Sequence, residues 1–186
     1  MATEIELKAH VKDSKALRLL LSKKAEYICS FEKEDAYWSS ERDLQLPAQG
    51  LRLRRETRRF PDGKSEQTCL VTRKIKSVKD GIEINDEREF EVRPAEEFED
   101  FLKKIGLEIS FAKRKRGWAF FRGGINAELV EVEGLGWFIE LEILADDNFA
   151  DSRPEEKERL LNFLNSLGIE REAIESRFYS QMLKVK

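Results

Sequence analysis

At 186 residues the chain is long enough for one compact domain with a substantial core. It is 40% hydrophobic and 38% charged, but its apolar residues recur at regular spacing alongside 10% aromatics, which excludes low-hydrophobicity disorder. Lys plus Arg number 34 and Asp plus Glu 37, a net charge of -3 that speaks against a dedicated nucleic-acid binder.

In chain order, "EIELK" (residues 4–8) alternates strictly, the pattern of a half-buried strand. "KDSKALRLLLSKKA" follows with Leu17, Leu20 and Leu21 at helical spacing behind a candidate Ser14 cap. "EYICSFEKEDAYW" reads as a strand and "SSERDLQLPAQG" as a loop. "LRLRRE" resumes the alternation, and Asp62-Gly63 marks a turn. "TCLVTRKIKSV" and "IEINDEREFEV" are strands with "KDG" as a hairpin tip. Pro94 opens a helix, "PAEEFEDFLKKIG", whose early acidic residues suit the positive end of the dipole and whose Gly106 suits the stop. The stretch from "EISFAKRKRGWAFF" to "FIELEI" is strand after strand, with a hairpin at Gly123-Gly124. Pro154 starts a further amphipathic helix, and "SRFYSQMLKVK" closes the chain. This pattern predicts one α+β domain over residues 1–186, and so many alternating strands are also what a closed barrel shows.

Two cysteines, Cys29 and Cys69, are too few for a disulfide framework or a zinc site and are expected to be free thiols. Charged residues begin at once and no apolar run is long enough to span a bilayer, so the expectation is a cytoplasmic protein without a membrane role.

The charged faces of the strands repeat. Glu4, Glu6 and Lys8 share one face; so do Arg52, Arg54 and Glu56, Lys74 and Lys76, Glu89 and Glu91, Arg114 and Arg116, and Glu140 and Glu142. For any single strand, a solvated outer face with cross-strand ion pairs explains the stripe. Across all of them, cations dominate the middle strands and paired glutamates the first and last, while the amphipathic helices need an apolar sheet face to cover. Turned inward, the cations would clamp a polyanion with several phosphates and the carboxylates would hold Mg2+ or Mn2+.

The residues also resemble a known family, the CYTH or triphosphate tunnel metalloenzymes. "EIELK" is similar to its ExExK signature, and the other segments follow in the family's order: "EKEDAYW", "LRLRRE", "LVTRK", "EREFEV", "KRKRGW", "VEGLGWFIELE" and "RFYSQML". The resemblance implies a closed antiparallel eight-stranded β-barrel with helices packed outside, open as a tunnel and charged within. It implies Glu4, Glu6, Glu140 and Glu142 as the metal-side carboxylates. Lys8, Arg52, Arg54, Lys74, Arg114 and Arg116 would contact phosphates, and Lys76, Glu89 and Glu91 match further tunnel positions. Tyr179 would sit at the closing segment and Asp35 near a tunnel mouth; Lys8, Arg52, Arg54 and Tyr179 would carry the catalytic work. Where the family often has a metal-serving Asp, four residues before the first Gly of "GLG", this chain has Val130, with Glu128 two residues back on the same strand face as a substitute.

The implied function is a metal-dependent enzyme on a triphosphate such as ATP, thiamine triphosphate or tripolyphosphate. It would be an adenylyl cyclase of the class IV type, releasing cyclic AMP and pyrophosphate, or a triphosphate hydrolase. The family also makes a homodimer a possibility. The alternative, for which Val130 argues, is a nucleotide- or polyphosphate-binding module without turnover. His10, Trp118 and Trp137 read as structural residues.

Overall fold

The computed structural model describes residues 2–40, 51–79, 82–146 and 154–184. Among them are the strands β1 (Ala2–His10), β2 (Glu26–Ser39), β3 (Leu51–Arg59), β4 (Ser65–Lys79), β5 (Ile82–Glu91), β6 (Glu108–Arg122), β7 (Ile125–Val132) and β8 (Gly136–Asp146). The helices are α1 (Ser14–Lys24), α2 (Ala95–Lys104), α3 (Pro154–Ser166) and α4 (Tyr179–Lys184). The strands close into a barrel in the order β1-β5-β4-β3-β2-β6-β7-β8, every neighbouring pair antiparallel. Closure gives each strand a partner on both sides over part of its length and separates an inside from an outside. The expected eight-stranded antiparallel barrel is what the chain forms.

Strand alternation then sorts the side chains. Ile5, Leu7, Ile139, Leu141 and Ile143 point outward and pack under Leu17 and Leu21 of α1 and Leu160, Phe163 and Leu164 of α3. Each such buried aliphatic or aromatic side chain contributes about 1.5–3 kcal/mol. A second outer cluster places Trp38, Leu53, Cys69 and Val71 beneath Leu102 of α2. With their apolar faces spent on these helices, the strands turn their charged faces inward. A third cluster lies inside one end of the barrel, where Phe31, Val130, Val132 and Phe138 meet Tyr179 and Met182 of α4.

Local signals landed close to the expected places. The α1 cap is Asp13 rather than Ser14: its Oδ1 accepts from the Ala16 N–H at 2.9 Å. Asp carries the more strongly accepting side chain and lies one residue outside the helix, where a cap must sit. Pro94 likewise stands just before α2 instead of at its first position. Gly123 and Gly124, at φ +53° and +83°, make the β6–β7 turn as expected. The "KDG" tip and most of the "SSERDLQLPAQG" loop lie outside the described residues. Cys29 and Cys69 are both buried free thiols. Among the described residues no helix is long and apolar enough to cross a membrane.

One glycine is demanded by closure. A Cβ on Gly117 of β6 would stand 2.1 Å from the backbone carbonyl oxygen of Leu129 on β7. Backbone cannot swing aside as a side chain can, so Gly117→Ala is expected to destabilise the barrel by about 1–3 kcal/mol or more. Thermal denaturation checks this: about 2–4 °C of Tm is lost per kcal/mol in a domain of this size.

Candidate functional site inside the barrel

The barrel interior is lined by charge of both signs. From β1, Lys8 is buried and its Nζ donates to Glu83 Oε1 of β5 at 2.5 Å. Glu4 is buried beside Asn85, whose Nδ2 donates to Glu4 Oε2 at 3.3 Å. From β3, Arg54 Nε and Nη2 donate to the two oxygens of Asp35 at 2.6 and 2.9 Å, a bidentate pair across the β2–β3 ladder. Arg52 reaches Thr72 Oγ1 at 2.9 Å, Glu87 at 3.2 Å and Glu89 at 3.3 Å. From β8, Glu140 accepts from Lys115 Nζ at 2.6 and 2.8 Å. From β7, Glu128 accepts from Lys33 Nζ at 2.6 and 2.7 Å.

These contacts set the charge states. Burial of Asp35 opposes ionisation, but Arg54 and then Lys113 outweigh it and hold the carboxyl well below its ordinary value. Burial likewise opposes ionisation of Glu140, yet the Lys115 ammonium outweighs it and takes the pKa down to about 2 despite the repulsion from Glu6. Lys113 goes the other way: burial, helped by the neighbouring Lys115, lowers its pKa. Tyr179 lies under the amines of Lys8, Lys113 and Lys115, at 5.7, 5.2 and 4.8 Å from its ring centroid. Its hydroxyl is buried beside Glu140 without a well-formed hydrogen bond, and burial together with that carboxylate raises its pKa well above the ordinary tyrosine value.

The carboxylates form a contiguous stripe. Glu6 faces Glu142 across the β1–β8 ladder and Glu128 faces Glu140 across β7–β8. Among the described residues no three His, Cys, Asp or Glu side chains are grouped closely enough to hold a metal ion as they stand. Glu140 and Glu128 are instead turned onto lysines. The donor chemistry still fits a hard divalent cation, which typically takes only one or two protein carboxylates with substrate oxygens and water completing the shell.

Most sequence-derived candidates meet inside, with exceptions. Arg114 and Arg116 face outward, their side chains 69% and 72% exposed and paired with Glu34 and Glu131. The inward cations of β6 are Lys113 and Lys115. In an unbroken run "KRKR" residue type carries no information about face. The parity was nevertheless present four residues on: Trp118 and Phe120 join the outer core, so their even-numbered neighbours point out as well. Arg114 and Arg116 line an outer concavity of about 1010 Å³ with Glu32, Glu34 and Glu131. Glu91 does not join the interior group; at the end of β5 it is exposed and pairs with Arg93 at 2.5 Å. β5 ends there, and β1 pairs with it only over Glu83–Asp86, so no strand flanks Glu91 on that side. Lys74 and Lys76 occupy ladder positions opposite Glu87 and Asn85, and their side chains lie outside the described residues. Asp35 is buried, paired with Arg54 and Lys113. Val130 faces inward, as its spacing from Glu128 requires, and is enclosed by Phe31, Phe138, Tyr179 and Met182.

Sequence reading missed Lys33, Glu83, Asn85, Glu87, Lys113 and Lys115. On β2, both faces of "FEKEDAYW" carry charge, so alternation could not single out Lys33.

Comparison with known proteins agrees with this architecture. The CYTH domain profile matches residues 2–179. A Methanocaldococcus jannaschii protein named "Putative adenylate cyclase MJ0240" is 28% identical over 165 residues, 87% of this chain and 89% of its own. The solved PH1819 protein from Pyrococcus horikoshii OT3 is 28% identical and superposes with a TM-score of 0.82 over 98% of both chains. A Hippeastrum protein, "Putative adenylyl cyclase HpAC1", described as having a dominant triphosphatase activity, shares the fold at 19% identity and a TM-score of 0.66, covering 98% of this chain and 94% of its own. The ordered charged strands, the closed barrel they build and a profile running almost from end to end have one reading: this chain belongs to the CYTH domain family.

Proposed function

We propose that the chain is a divalent-metal-dependent enzyme acting on a triphosphate substrate held inside the barrel. The observation that carries the reading is one barrel interior shared by the cations Lys8, Arg52, Arg54, Lys113 and Lys115 and the carboxylates Glu4, Glu6, Glu128, Glu140 and Glu142, interleaved across its strands. Enclosure lowers the effective dielectric, so each cation stabilises charge on a phosphate more strongly than a surface lysine does.

In the chain alone these charges satisfy one another. A triphosphate entering the tunnel would take over Lys115 and Lys33 and release Glu140 and Glu128. Those carboxylates, with Glu6 and Glu142, would then be free to hold Mg2+ or Mn2+. The metal, when bound, supplies Lewis-acid polarisation of phosphate oxygens. Arg52 and Arg54 suit bidentate contact with phosphate oxygens and orient the chain of phosphates. Lys113 Nζ, whose proton is the more easily surrendered for being buried next to Lys115, is suited to exchange a proton with the attacking oxygen. Water attacking the terminal phosphorus would give a triphosphatase. The ribose 3'-hydroxyl attacking the α-phosphorus of ATP would give an adenylyl cyclase, the activity in the name of the Methanocaldococcus relative.

The second reading, a nucleotide- or polyphosphate-binding module, is favoured by Val130, which puts an apolar side chain into the carboxylate-bearing wall. The test is incubation with ATP, thiamine triphosphate or tripolyphosphate, each with Mg2+ or Mn2+, with chromatography of the products. Cyclic AMP plus pyrophosphate is the cyclase outcome and orthophosphate release the hydrolase outcome. The Glu4→Ala, Glu6→Ala double variant is expected to lose about 10²-fold or more of either activity. Binding without turnover of any of the three would put the binding module in its place.

A further inference from the structure

Among the described residues the two ends of the barrel are unlike. At one end Tyr179 and Met182 of α4 pack against Val132 and Phe138. Phe138 stands near the start of β8, and Leu144 lies six residues further along it, roughly 20 Å away. Leu144 faces inward, because its ladder partner is the buried Glu4, and Glu142 and Glu140 precede it on the same face. It is nevertheless 60% exposed. On β7, Val132 stands at the end that α4 fills, while Asn126, opposite Glu142, is exposed at the other.

Leu70 of β4 also faces inward there, as the ladder partner of Arg54. It is half-buried and lies opposite Glu91, where β5 ends. Only β1 and β5 separate β4 from β8, so Leu70 and Leu144 flank the opening from two sides. Both stand on a face that turns polar one step deeper, at Thr72 on β4 and Glu142 on β8. A leucine exposed at such a place gains from being covered by apolar ligand surface, and a phosphate chain offers none.

We propose that this opening is a subsite for an amino-substituted heteroaromatic ring carried on the phosphate chain, a nucleobase such as adenine. Leu70 and Leu144 cover the ring, and the Asn126 amide, donor and acceptor at once, meets its polar edge. The subsite rests on the triphosphate reading above and adds a direction to it. With the ring held at the opening, the chain enters terminal phosphate first. That phosphate then lies deepest, toward Lys8, Lys113 and Lys115 around the Tyr179 ring. The phosphate nearest the ring lies toward Glu4 and Glu142.

Calorimetry in Mg2+ tests this with 3'-deoxyadenosine 5'-(β,γ-imido)triphosphate, which can be neither cyclised nor readily hydrolysed. The control is methyl (β,γ-imido)triphosphate, which carries the same phosphates without a ring. The wild type is expected to bind the adenosine compound about tenfold or more tightly than the methyl ester. Leu144→Gln and Asn126→Ala are each expected to weaken the adenosine compound by about five- to tenfold and the methyl ester by less than about twofold. Both side chains are exposed, so Tm is expected to stay unchanged. Thiamine (β,γ-imido)triphosphate, whose aminopyrimidine has a similar edge, separates the two sources of such a ring. If Asn126→Ala weakens it and spares the adenosine compound, the ring read at the opening is that of thiamine and adenine is overturned. Equal affinities of the wild type for all three ligands overturn the subsite and leave the triphosphate reading standing, and so do equal losses for all three in the variants. Failure of every one of them to bind overturns the triphosphate reading itself, and the subsite with it.

Discussion

Lys113→Met is expected to lower kcat/KM for the triphosphate substrate by about 10²–10³-fold while the barrel stays folded. The neighbouring Arg114→Met is expected to change it by less than about threefold, because a surface ion pair is worth only about 0–1 kcal/mol. The contrast follows from one bond of difference in the chain. Lys113 Nζ lies 3.4 Å from Asp35 Oδ2 inside the barrel, whereas Arg114 pairs with Glu34 on the outer wall. Removal of Lys113 still leaves Asp35 both of its hydrogen bonds from Arg54. Steady-state kinetics on the two variants, with circular dichroism to verify folding, checks the assignment. A larger loss in Arg114→Met than in Lys113→Met would mean that β6 presents the opposite face to the substrate.

Arg54→Met is the largest expected loss of stability. It strips the bidentate partner from Asp35, whose side chain is 0% exposed, and leaves a buried carboxylate with Lys113 alone. Breaking a buried pair from one side costs about 3–5 kcal/mol. At about 2–4 °C per kcal/mol, Tm falls by roughly 6–20 °C. The Asp35→Asn, Arg54→Met double variant removes both charges and is expected to recover much of that loss. The pH dependence has a definite sign. In the wild type Asp35 has a lowered pKa, so the pair stabilises above the ordinary carboxylate range and loses that contribution as pH falls through the lowered value. In Arg54→Met a buried carboxylate lacking its main partner is relieved by protonation. The gap between the two proteins therefore narrows on acidification, which thermal scans from neutral to acidic pH would detect. Glu140 acts in the same sense, its stabilising pair with Lys115 being lost between the ordinary glutamate value and about pH 2.

The interior charges are matched to one another. Cations and carboxylates are interleaved across strands: Lys8 with Glu83, Lys33 with Glu128, Arg54 with Asp35, Lys115 with Glu140. Each pair costs desolvation energy that its own attraction and hydrogen bonds offset. The same pairs leave the interior dependent on exchange, since a polyanion and a cation together can replace partners that neither replaces alone. Metal affinity measured by calorimetry is accordingly expected to rise by about tenfold or more when tripolyphosphate is present.

By itself the sequence determined the barrel's strands, the turn at Gly123-Gly124, the proline-marked starts of α2 and α3, and the inward face of β1, β3 and β8. On those strands polar and apolar residues alternate cleanly, and the helices' apolar stripes need the Leu and Ile faces. Tertiary structure decided β2 and β6, where charge stands on both faces of "FEKED" and "KRKR" and alternation within those runs has nothing to sort; on β6 the parity is carried only by Trp118 and Phe120 further along. There the covering helices choose: Trp38 is claimed by α2 and Trp118 by the α1 side, and the remaining residues follow in parity. Tertiary structure also decided which charges meet. Lys33 and Glu128 are 95 residues apart in sequence, and only the closed ladder brings such partners within hydrogen-bonding reach.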